Sequence, residues 1–75
     1  MDNQGIKELL DREPFEPFTI IMSSGDRYDI YNPDMVVMVP SRLFVALPGE
    51  NRRPSDRFAL CSYLHIAAVQ LLQAA

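Results

Sequence analysis

The sequence predicts an α+β protein, a short amphipathic helix followed by antiparallel strands. Three observations carry that expectation. A helical apolar period appears near the N-terminus, where Ile6, Leu9 and Leu10 form one stripe among Lys7, Glu8, Asp11 and Arg12. From Phe18 onward the apolar period falls to two. Turn-forming clusters at Ser24-Gly25-Asp26, Asn32-Pro33-Asp34 and Pro40-Ser41-Arg42 then cut the chain into strand-length pieces.

The helix is expected over residues 2–13, capped by Asp2 or Asn3. Pro14 stops it, because a proline pushes its predecessor out of the α region. A helix of about ten residues is marginal alone, so it must dock on something. Pro14-Phe15-Glu16-Pro17-Phe18 bars both helix and interior strand and predicts an extended corner, its two phenylalanines pinning helix to sheet.

Phe18, Ile20 and Met22 alternate with Thr19, Ile21 and Ser23, and Arg27 to Tyr31 alternates again after the Ser24-Gly25-Asp26 turn. That pattern is a hairpin with a largely solvated return strand. Met35 to Val39 and Leu43 to Leu47 are apolar on both faces, which implies cover on both sides. Met22, Met35 and Met38 read as core filler. Pro48 to Asp56 reads as an exposed loop, and Arg57 to Tyr63 as a strand with Phe58 and Leu60 on one face. The C-terminal segment has two readings. Leu64, Ala67, Ala68, Leu71, Leu72 and Ala75 fit a helical stripe, while Ile66 to Leu72 equally fits a final strand after a turn at Tyr63-Leu64-His65.

Seventy-five residues make one domain, 1–75, and the 48% apolar share is generous for that length. Ten acidic and seven basic residues give a net charge of -3, and the sequence pI is near 4.8. These figures argue against a multidomain enzyme, a disulfide scaffold, a disordered chain and a strongly basic nucleic-acid binder. The first sixteen residues, with Lys7 and Arg12 against Asp2, Glu8, Asp11, Glu13 and Glu16, hold a charge of -3, equal to the whole chain's. No apolar run reaches transmembrane length, and the N-terminus has neither a basic nor an apolar leader region. With a lone Cys61, the expected location is cytoplasmic and away from membranes.

The order of these motifs resembles a family of small uncharacterised bacterial proteins of about this length. The doubled Pro-Phe of Pro14-Phe15-Glu16-Pro17-Phe18 is the most specific element. The hairpin turn, the Asn32-Pro33 corner and Leu64-His65-Ile66 complete the match over nearly the whole chain. The family commonly has Asp-Gly where this chain has Ser24-Gly25, and His-Pro where it has Asn32-Pro33. Both departures keep turn chemistry. The resemblance implies a helix followed by a small five-stranded antiparallel barrel, SH3-like or Sm-like, spanning residues 17–72. It also favours a strand for the C-terminal segment, and it implies no established activity.

The residues offer little for catalysis. Nucleophilic chemistry needs a base beside Ser or Cys, and His65 is the single histidine. Cys61 and His65 supply two ligands where zinc sites take three or four. Asp26, Asp29 and Asp34 are scattered over turn and strand, and the three glycines are isolated, so no phosphate loop forms. The expectation is a protein that is not an enzyme and takes no cofactor or metal.

Sm-like barrels often bind RNA, and Tyr28, Tyr31 and Tyr63 are candidates to stack bases beside Arg52, Arg53 and Arg57. Residues 50–57 sum to only +1, which is little for neutralising several phosphates. RNA binding through Tyr31, Arg52 and Arg53 is therefore the alternative. The favoured reading is a non-catalytic, self-associating interaction module, a homo-oligomer or the binder of a partner protein. One small barrel has a single interior, so outward apolar residues on the 35–39 and 43–47 strands, represented by Val37 and Val45, call for cover.

Overall fold

The computed structural model describes residues 3–48 and 54–72. Within them one helix precedes six antiparallel strands, in an α+β arrangement. Helix α1 spans Asn3–Leu10. It is shorter than the expected 2–13; its last turn closes at Asp11, whose N–H donates to the Lys7 carbonyl at 3.0 Å. The proline constraint acts early, and residues 13–14 already bend, with the Glu13–Pro14 peptide cis. Two exposed ion pairs, Lys7–Asp11 at 2.7 Å and Arg12–Glu16 at 2.9 Å, flank this end and contribute little stability.

The strands are β1 (Phe18–Met22), β2 (Arg27–Ile30), β3 (Val36–Val39), β4 (Arg42–Pro48), β5 (Pro54–Ser62) and β6 (Ile66–Leu71). They form two three-stranded sheets, ordered β2-β1-β6 and β3-β4-β5. The five-stranded closed barrel is corrected on both counts, since no ladder joins the sheets among the described residues. The reason lies at the corners. Asn32 accepts from the Asp34 N–H at 3.1 Å and starts a 3-10 turn, Pro33–Met35, which separates β2 from β3. A second 3-10 turn, Tyr63–His65, separates β5 from β6. Ile66–Leu71 is thus a strand, paired with β1. β5 begins at Pro54, inside the segment read as loop 48–56, because Pro48 pairs with Pro54 across a register shift. Residues 49–53 of that segment lie outside the described residues.

The inner faces meet over one core. Ile6, Phe18, Ile20, Ile30 and Leu43 are fully buried, joined by Val45, Cys61 and Ile66. Met22 and Met35 sit in it, and Met38 packs at its margin. Phe15 tilts against Phe18, ring centroids 5.9 Å apart, so the doubled Pro-Phe ties the helix connection to β1. Tyr63 closes one end by donating its hydroxyl to the Val39 carbonyl at 3.0 Å. At the hairpin turn Gly25 holds φ +96, a left-handed value that favours glycine.

Two stability outcomes follow. Ile6→Ala is expected to cost about 2–5 kcal/mol in urea unfolding, the usual range for emptying a buried aliphatic site. Gly25→Ala is expected to cost roughly 1–2 kcal/mol, from backbone conformation alone. An added Cβ there meets nothing within 4 Å.

Candidate interaction site

Strand register decides which side chains face out. Residues directly opposite in an antiparallel pair share a face. In the sheet β3-β4-β5, the pairs Val36↔Val45↔Ala59 and Met38↔Leu43↔Cys61 run along the inner face. The outer face carries Val37↔Phe44↔Leu60, then Ala46↔Phe58, with Val39, Arg42 and Ser62 at one end. Phe44 is half-buried, but Val37 is 53% exposed, Phe58 59% and Leu60 57%. Leu64, on the turn after β5, is 90% exposed. Leu60 and Leu64 border a shallow groove with Ser41, Arg42 and Ser62. Val37, Phe44, Phe58 and Leu60 thus share one outward apolar face, the kind of surface that marks interaction sites when contiguous.

The other sheet has the opposite character. Its outer face carries the rows Asp29↔Thr19↔Gln70 and Arg27↔Ile21↔Ala68. Thr19, buried at 1%, donates its hydroxyl to Asp29 at 2.6 Å, and Arg27 reaches Gln70 at 3.5 Å. That surface is polar and internally satisfied.

Helix α1 leaves the apolar face uncovered. It packs instead where Leu10 faces Met38, Pro40 and Tyr63 around an open cleft of about 460 Å³. Its own Ile6 is spent on the core.

Among the site residues expected from sequence, Val37 lies on the outer face, while Val45 points inward and is 1% exposed. Val45 is therefore corrected from an outward position to a core one. Tyr31 is half-buried against the core, its hydroxyl 3.5 Å from Asp29. Arg52 and Arg53 lie outside the described residues. Tyr63, also considered for stacking, is 6% exposed with its hydroxyl engaged.

Sequence reasoning put Phe58 and Leu60 on one face but did not assign them to the surface. Their size misled: large apolar side chains usually take the inside, yet here the smaller Ala59 and Cys61 face the core. Phe44 and Leu64 were missed as well. The available signal was the in-register match of Phe44 with Leu60, which needs the strand pairing to be known.

Cys61 is buried at 1%, and His65 is exposed on the following turn, its backbone carbonyl accepting from the Ser23 N–H at 2.7 Å. Burial pushes the Cys61 thiol up, and the Asp26 carboxylate adds to the shift, so the nucleophilic thiolate is disfavoured. Among the described residues no three His, Cys, Asp or Glu side chains gather to hold a metal ion. Nor is any described helix long and apolar enough to cross a membrane. No protein-family model, curated protein or solved structure matches this chain.

Burial also raises the hydroxyl pKa of Tyr63 and of Tyr28. In all three groups the folded state holds its proton to higher pH than the unfolded state does. Stability is then complete below the unfolded values and falls as pH rises through the window above the ordinary thiol value of 9.0. Denaturant unfolding at stepped pH should show that decline, and Cys61→Ala should make it shallower.

Proposed function

We propose that this protein is a non-catalytic interaction module that self-associates through the sheet β3-β4-β5. The observation that carries the reading is the contrast between two outward faces of one molecule. On β2-β1-β6 that face carries Thr19 hydrogen-bonded to Asp29, and Arg27 reaching across the sheet to Gln70. On β3-β4-β5 the corresponding positions are Val37, Phe58 and Leu60, each more than half exposed. A chain that satisfies one outer face with polar pairs has no folding reason to leave the other apolar. Contact with a second copy supplies one.

Burial of Cys61, which disfavours its thiolate, supports the non-catalytic part by removing one candidate nucleophile.

Light scattering at micromolar concentration is expected to give a particle heavier than the 8.5 kDa chain. The double substitution Phe58→Asp, Leu60→Asp should return it to chain mass with an unchanged far-ultraviolet circular dichroism spectrum. A clean monomer for the unsubstituted protein across that range would sink the proposal.

A further inference from the structure

We infer that two copies join edge to edge along β5, antiparallel across a two-fold axis at Ala59, so that two three-stranded sheets become one of six. The inference rests on the self-association proposed above and names its geometry.

β5 is the outermost strand of its sheet and, at nine residues, the longest in the protein among those described. An open edge of that length invites pairing, and proteins usually blunt it with charge, proline or a bulge. β2, an edge of the other sheet, is only four residues long and carries exposed Arg27 and Asp29. β5 has Pro54 at its first position and a register irregularity before Phe58, after which Phe58 to Ser62 pairs regularly with β4 and runs without a charge. The β6 edge is uncharged too, but it borders the polar outer face, where Ala68 and Gln70 offer little apolar burial.

Self-pairing of β5 has few acceptable registers. Opposed residues must share a face, so an offset of one residue would set outward side chains against inward ones. An axis at Ala59 places Phe58 opposite the partner's Leu60, and Leu60 opposite the partner's Phe58. The outer row Val37-Phe44-Leu60 then continues into the second copy. Pro54, which has no N–H to give, and the irregular stretch before Phe58 stay outside the regular pairing. An axis at Phe58 would run the ladder into that irregular stretch, and one at Leu60 would set Phe58 against Ser62. Of the three, the Ala59 register alone sets Phe58 against Leu60. An isologous contact of this kind closes at two copies.

Amide hydrogen exchange on the full chain tests the inference, measured above and below the association midpoint found by light scattering. Alternate amides within residues 58–62, those facing away from β4, are expected to slow at least tenfold in the dimer. Amides on the open edge of β2 should not change. A mixed-label sample should also give isotope-filtered cross-peaks between the Phe58 ring and Leu60 methyls. A dimer whose β5 edge amides are unslowed overturns the edge pairing and leaves self-association standing. A monomer at every concentration overturns both, and a particle larger than a dimer overturns the two-fold edge contact.

Discussion

Everything in this molecule follows from having one small interior to fill. The inner faces of two three-stranded sheets meet over Phe18, Ile20, Ile30, Leu43 and Val45, and α1 contributes Ile6 to the same cluster. A chain of 75 residues cannot build a second core. Each strand therefore has one face whose burial is provided for and one face that is not. The corners serve this constraint. Asn32 starting the Pro33–Met35 turn, and Tyr63 tying its turn to the Val39 carbonyl, redirect the chain so that both sheets look inward at the same side chains.

The outward faces are where the sequence had freedom, and the two sheets use it differently. On the first sheet, β1 is central and apolar, yet Thr19 interrupts it and finds Asp29 directly opposite. A buried hydroxyl without that partner would cost on the order of 1–3 kcal/mol. The bond also fixes the strand register, since a slip of one residue would strand the hydroxyl. On the second sheet no polar pair occupies the centre of the outer face; Val37, Phe44 and Leu60 form a cross-strand row instead.

What could be read in the sequence tracks how local the determining physics is. The Ile6, Leu9, Leu10 stripe and the proline stop located the helix, though not its length, and Gly25 marked the hairpin turn. These depend on neighbours in the chain. The strand at Ile66–Leu71 could not be separated from a helix by local pattern, because Ala, Leu and Gln suit a helix; pairing with β1 decides it. The candidate site was half legible for the same reason. In runs such as Met35 to Val39 and Leu43 to Leu47 both faces are apolar, so alternation carries no inside–outside information. Val37 and Val45 looked equivalent, yet pairing of Val45 with Val36 and Ala59 sends it inward, while pairing with Phe44 sends Val37 out. The count of five strands came with the resemblance, while the residue pattern itself marks six strand-length runs, the number observed.

An apolar outer face and an unpaired edge are separate liabilities, and on β5 they coincide. Phe58 and Leu60 lie on the strand that also ends the sheet. Covering the face alone, by a helix or a loop, would leave the edge amides and carbonyls open. Charging the edge alone would leave the aromatic and aliphatic surface in water. The proposed second β5 completes the ladder and sets its Phe58 and Leu60 beside Leu60 and Phe58 at the seam, while Val37 and Phe44 keep their outward positions. The helix of the same chain offers no substitute: its apolar stripe is committed to the core through Ile6 and to the Met38–Tyr63 end through Leu10. Its acidic segment, moreover, holds a charge equal to the chain's net -3, and the remainder is balanced. The proposed pairing along β5 would therefore join neutral regions, where long-range repulsion between like proteins is weakest.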